Sequence, residues 1–142
     1  MNDQSNPKAV IFDLDGTLSE KSDRETFDFA SAGSDLSVGA VVELASALRE
    51  VGWKIIVITG REEKFRRISE SWLSAHLGLF ERLFMRSDGD YRPDDIVKLE
   101  IYLSKIHGVY DVRLVVDDRN RVVKMWRQSL GLTCLQVRDG DY

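Results

Sequence analysis

Apolar residues in this chain gather into five short continuous runs, separated by stretches in which they recur at helical spacing. Runs of this kind read as strands buried on both faces. The first covers residues 8–13 and contains Ala9-Val10-Ile11-Phe12. The second is Trp53 to Thr59, the third Arg82 to Arg86 around Leu83-Phe84-Met85, the fourth Val112 to Val116, and the last Leu132 to Val137. Between them, Val41, Leu44, Ala45, Leu48 and Val51 predict a helix over residues 38–51, with Ser37 as its N-cap and Gly52 as its stop. Phe65, Ile68, Trp72, Leu73 and Leu77 predict a second helix over residues 63–77. A third is expected to run from a cap at Asp94 or Asp95 to about His107, and a fourth to cover residues 120–130, closed by Gly131.

Strict alternation of strand and helix predicts an α/β fold, a Rossmann-like three-layer sandwich around a mainly parallel five-stranded sheet. Residues 1–142 are expected to form a single domain, with residues 1–7 flexible. The polar stretch 16–37 leaves the carboxyl edge of the sheet and is too short to form a full cap domain. Ligands of such sheets bind beyond the carboxyl ends of the strands, where strand order reverses. If the first and fourth strands are neighbours there, Asp13, Asp15, Asp117 and Asp118 meet in one crevice.

Composition narrows the picture modestly. No apolar run is long enough to span a bilayer, and the polar start lacks the layout of a signal peptide, so a cytoplasmic location is expected. One cysteine, Cys134, cannot form an internal disulfide and is expected to be buried. The net charge of −4 argues only weakly against a polyanionic partner, because local fields outweigh totals. Basic residues cluster at Arg119, Arg121, Lys124 and Arg127, and again at Arg61, Lys64, Arg66 and Arg67. Trp72 and Trp126 fall in register with core positions, and His76 and His107 lie near helix ends, where a structural role is expected.

The chemistry lies in the acidic residues. Two carboxylates about 4 Å apart repel by roughly 4 kcal/mol at an effective dielectric near 20. Four in one crevice call for a cation, and oxygen donors with no His or Cys nearby select a hard ion such as Mg²⁺. Thr59 ends its strand with a hydroxyl, and Gly60 leaves backbone N–H groups open to an anion. Lys98, four residues after Asp94, supplies a fixed positive charge of the kind a phosphate site needs.

The segment D-x-D-G-T-L at Asp13, the strand ending in Thr59, the downstream Lys98 and the pair Asp117-Asp118 resemble, in order, the four motifs of the haloacid dehalogenase (HAD) superfamily. From residue 7 onward, Thr59-Gly60-Arg61-Glu62, Asp94-Asp95-Ile96-Val97-Lys98, Asp117-Asp118-Arg119 and the ending Gly140-Asp141-Tyr142 are similar to the phosphatase half of the phage polynucleotide kinase/phosphatase family. This resemblance implies a polynucleotide 3′-phosphatase acting on DNA or RNA ends. It implies Asp13 as nucleophile and Asp15 as general acid and then base. Mg²⁺ would be held by Asp13, the main-chain carbonyl of Asp15, Asp117 and Asp118. Thr59 and Lys98 would bind phosphoryl oxygens, Asp94 would orient Lys98, and Arg24 and Arg61 would serve substrate binding.

No G-x-x-x-x-G-K-[ST] loop occurs in the 142 residues, so a kinase or ligase, if needed, is expected as a separate partner. Two rival readings stand beside this one. The first is a phosphatase of nucleotides or other small phosphomonoesters; the second is a nucleic-acid end-binding module without turnover. The absent cap and the basic clusters favour a polymer end. Oligomeric state is not legible in the sequence.

Overall fold

The computed structural model describes residues 5–142, so the expected flexibility of residues 1–4 lies outside the described residues. Pro7 is tied down, its carbonyl accepting the N–H of Asp111 at 2.9 Å. Among the described residues seven strands form: β1 Lys8–Phe12, β2 Ser19–Glu20, β3 Leu36–Ser37, β4 Lys54–Glu62, β5 Arg82–Arg86, β6 Asp111–Asp117 and β7 Cys134–Gln136. Five of them make one sheet in the order β5-β4-β1-β6-β7. Every pairing in it is parallel. The sheet therefore reverses its winding at β1, and β1 and β6, the first and fourth predicted strands, are neighbours there.

Four α-helices cover the sheet: α1 Gly39–Glu50, α2 Arg66–His76, α3 Asp94–Ile101 and α4 Asn120–Lys124. One face of the sheet (Val10, Phe12, Val57, Leu83) packs on Val41 and Ala45 of α1 and on Trp72 and Leu73 of α2. The other face (Ile11, Ile56, Ile58, Phe84) packs on Val122 and Val123 of α4, on Trp126, and on Tyr102 and Ile106. The β1 residues Ala9 to Phe12 have no exposed surface, which is why their apolar run is unbroken. The predicted third and fourth helices each finish in a wider π-type turn, Tyr102–Ile106 and Met125–Ser129.

Four local expectations are corrected. Helix α1 starts without the predicted Ser37 cap: Ser37 is held in β3 against Ser19, and Val38 donates its N–H to Leu18 O at 2.8 Å before the helix begins. Pro93, not Asp94 or Asp95, precedes α3, and both aspartates occupy its first turn. The 16–37 stretch is more ordered than expected, carrying the β2–β3 hairpin pairing and a 3₁₀ turn over Phe29–Ser34. Strand β4 continues past Thr59 to Glu62, with a register shift against β5 between Thr59 and Glu62. Such irregularities re-aim side chains next to active sites, and this one carries Gly60 and Arg61. Among the described residues no helix is long and apolar enough to cross a membrane.

Candidate active site

Strands β1 and β6 end side by side, so Asp13, Asp117 and Asp118 project from adjacent carboxyl termini. One oxygen from each lies within 4.8 Å of the others, and all three residues are buried. The expectation of four converging carboxylates is corrected to three. Asp15 turns its side chain aside, toward two arginines.

Asp13 is held at both oxygens. Lys98 Nζ donates to Oδ1 at 2.7 Å and Thr17 Oγ1 to Oδ2 at 3.1 Å. Lys98 also meets Asp117 Oδ2 at 3.2 Å and lies 3.7 Å from Asp94 Oδ2, one helical turn back on α3. Burial pushes the Asp13 carboxyl well above the usual carboxylate range; Lys98 opposes that, and Asp117 and Asp118 add to it. Asp117 is raised by burial in the same way, against Lys98 and a hydrogen bond from the Trp126 indole at 3.1 Å. Burial alone would lower Lys98, but the charges of Asp117, Asp13 and Asp94 outweigh it and carry its pKa well above the ordinary value. These carboxylates favour the charged form of Lys98.

One ammonium against three buried carboxylates leaves this cluster short of positive charge. The donor set is oxygen throughout, and the shift of Asp13 and Asp117 toward protonation is what a bound divalent cation would reverse. The residues fit such an ion. Gly16 permits the approach: its φ is +86°, and a Cβ there would overlap the carboxylate of Asp118. A Cβ at Gly60 would likewise overlap Asp94 Oδ1.

Arg61 is 2% exposed despite its place in a predicted surface cluster. It donates through Nε to Asp15 Oδ2 at 2.9 Å, and through Nη2 to Asp15 Oδ1 at 2.7 Å and Asp35 Oδ2 at 3.3 Å. Arg24 makes a bidentate pair with Asp35 at 2.7 and 2.8 Å and reaches Asp15 Oδ1 at 3.2 Å. The two arginines expected to bind substrate are thus held between Asp15 and the buried Asp35. Thr59 is fully buried, and its Oγ1 accepts the N–H of Arg61 at 3.2 Å, so it shapes the irregular end of β4 that aims that guanidinium.

Several contributors escaped the sequence reading. Thr17 bridges Asp13 and Asp118, the latter at 3.2 Å, and its place directly after Gly16 was the available signal. Arg86 ties Gly60 O at 2.7 Å to Asp94 Oδ1 at 3.2 Å. The Tyr142 hydroxyl donates to Asp118 Oδ2. Asp35, between the 3₁₀ turn and β3, left no periodic or motif signal. His76 stacks on Trp72 and His107 lies against Tyr102, away from the carboxylates. Of the predicted basic cluster, Arg121, Lys124 and Arg127 are exposed, and Arg127 also donates to the Cys134 carbonyl at 2.8 Å.

The site opens into a cleft of about 1050 Å³ at the carboxyl edge, floored by Asp13, Asp117 and Asp118 and rimmed by the 21–29 and 90–92 loops. A buried carboxylate paired with an ammonium, beside two further carboxylates at the base of a cleft, is an arrangement suited to phosphoryl chemistry.

Comparison with known proteins agrees. Residues 7–142 match the family model described as the polynucleotide kinase PNKP phosphatase domain. A chain in the structure of a Pnkp1/Rnl/Hen1 complex aligns with a TM-score of 0.94 and 42% identity, over 99% of this chain and 49% of that one. A protein of Autographa californica nuclear polyhedrosis virus, named as a bifunctional polynucleotide kinase/RNA ligase, is 32% identical over 124 residues, covering 85% of this chain and 18% of the viral protein. The chain thus spans about half or less of these relatives. The class C acid phosphatase of Bacillus anthracis shares the fold, with a TM-score of 0.67 at 13% identity over 96% of this chain and 68% of that one. A match running from residue 7 to residue 142, over an edge where Asp13 and Lys98 meet, makes this chain a member of the polynucleotide kinase PNKP phosphatase domain family, a HAD-type phosphomonoester hydrolase.

Proposed function

We propose that the chain removes the 3′-terminal phosphate from DNA or RNA ends, as a Mg²⁺-dependent polynucleotide 3′-phosphatase in nucleic acid end repair. The observation that carries the reading is Asp13, held at Oδ1 by Lys98 and at Oδ2 by Thr17 on the floor of an open cleft. An enclosed site would suit a small metabolite; an open one admits the end of a chain.

Asp13 attacks the phosphorus as the bond to the 3′-oxygen breaks, giving an aspartyl-phosphate. The leaving 3′-oxygen takes a proton from Asp15. The incoming phosphate competes for the guanidinium donors of Arg61 and Arg24; Asp15, released from them, takes up from solvent the proton it gives to the leaving oxygen. Asp15 then takes a proton from the water that attacks the aspartyl-phosphate, releasing phosphate and restoring Asp13. Lys98, oriented by Asp94, neutralises phosphoryl oxygens, and the irregular end of β4 offers them the Thr59 hydroxyl and the Gly60 N–H. Asp13, Asp117, Asp118 and the main-chain carbonyl of Asp15 would hold Mg²⁺, which when bound offsets the repulsion between carboxylate and phosphate.

The complex in which the solved relative was found supports a setting with separate partner proteins, and the name of the viral relative supports kinase and ligase activities acting beside this one. The test is phosphate release from matched 3′-phosphate and 5′-phosphate DNA and RNA oligomers, with and without Mg²⁺. Release confined to 3′ ends and dependent on Mg²⁺ is expected. Equal release from 5′ ends, or from small phosphomonoesters as readily as from oligomers, would favour a general phosphatase.

A further inference from the structure

Two aromatic side chains on the cleft rim have no part in the chemistry at Asp13. Phe27 is 78% exposed and Tyr91 81% exposed, yet neither is on a loose loop. Arg24 Nη1 donates to the carbonyls of Glu25 at 3.1 Å and Thr26 at 2.8 Å, fixing the turn that presents Phe27. The Phe27 ring meets Phe29 edge-on at 6.2 Å, and Phe29 in turn sits under the guanidinium groups of Arg24 and Arg61, at 5.2 and 5.1 Å.

Tyr91 is presented in a parallel way. Arg86 Nη1 donates to Asp90 O at 3.0 Å and Arg92 O at 2.6 Å, the carbonyls on either side of it. The Arg92 side chain closes the loop onto Asp90 at 2.7 Å and Glu100 at 3.0 Å. Each exposed ring is thus carried by a loop that one arginine fastens to a carboxylate of the site, Arg24 to Asp15 and Arg86 to Asp94. The two loops lead on to α1 and α3, which cover opposite faces of the sheet.

We infer that Phe27 and Tyr91 form a stacking subsite for terminal nucleobases of a polynucleotide whose 3′-phosphate lies on Asp13, an inference that rests on the polynucleotide reading. Rings exposed at a cleft mouth on backbone that hydrogen bonds fasten are placed for stacking before a ligand arrives, so less loop-ordering cost is left to binding. Every base offers a π-face, so such a subsite accepts any terminal base.

The test compares a 3′-phosphorylated oligonucleotide with the same oligomer lacking its last two bases, in wild type, Phe27→Ala, Tyr91→Ala and Phe27→Trp. In wild type the base-bearing end is expected to have the lower KM by about tenfold or more. Each alanine variant should shrink that preference several-fold through KM, and Phe27→Trp should keep it. An unchanged preference in both alanine variants, or no wild-type preference for bases, overturns the subsite while leaving 3′-phosphatase activity standing. A wild type that hydrolyses a small aliphatic phosphomonoester as well as either oligomer overturns the polynucleotide reading and the subsite together.

Discussion

Lys98 Nζ lies 2.7 Å from Asp13 Oδ1, with both side chains buried, so the ammonium on α3 and the carboxylate at the end of β1 are held as one unit. The pairing joins the helix on one face of the sheet to its central strand. Removing one partner of a buried pair costs about 3–5 kcal/mol, because the other is left uncompensated. Lys98→Met is therefore expected to lower stability by about that much in urea denaturation without divalent ions. Its phosphate release should fall by about 10²–10³-fold.

Trp126 fills the core beneath β6 and aims its indole N–H at Asp117 Oδ2, 3.1 Å away. Phenylalanine preserves most of the packing and removes the donor. Groups that orient a ligating carboxylate typically contribute 10–100-fold to metal affinity or activity. Trp126→Phe is expected to raise the Mg²⁺ concentration for half-maximal phosphate release by about tenfold or more. Near-native thermal stability would show that the effect is not a packing defect.

Gly16 is the tightest point of the motif. With φ at +86° and the Asp118 carboxylate occupying the space a Cβ would take, even a methyl group must displace that carboxylate. A misplacement of about 1 Å at a reacting centre can cost about 10²-fold. Gly16→Ala is expected to lose at least that much phosphate release while keeping the circular dichroism of the wild type.

Much of this was legible in the chain itself. The strands at Lys8–Phe12 and Arg82–Arg86 stood out because each is buried and apolar, and Asp117-Asp118 because it closes another such run. Where Asp15 turns was not legible, because Asp35 decides it. That residue comes from a loop with no periodicity and acts through two arginines distant in sequence. Burial of Arg61 was hidden for the same reason: its charge is satisfied by Asp15 and Asp35, which only the folded chain brings near. The start of α1 was misplaced because Ser37 pairs with Ser19, a tertiary contact that overrides its capping tendency.

Asp90 tests the anchoring of the Tyr91 loop. Hydrogen bonds from the Arg92 side chain and N–H bring its carboxyl down to about 2 from an ordinary 3.8. A pKa depressed on folding contributes stability that is complete above the ordinary value and lost as pH falls through about 2. Titration of the Asp90 carboxyl by NMR is expected to show a midpoint near 2, returning toward the ordinary range in Arg92→Ala.

Cys134 is buried in β7. Desolvation, reinforced by Asp117 against Arg127 and Lys98, pushes its thiol up to about 12. Little thiolate exists near neutral pH, so alkylation is expected to be slow in the native protein and fast in urea. Rapid native labelling would place the thiol on the surface.

The most direct measurement is phosphate release from a 3′-phosphorylated oligonucleotide by Asp13→Asn at saturating Mg²⁺, beside the wild type. An amide in place of the attacking carboxylate is predicted to leave release at the level seen without protein, while the circular dichroism spectrum is retained. Release at the wild-type rate would contradict the assignment of Asp13 as nucleophile.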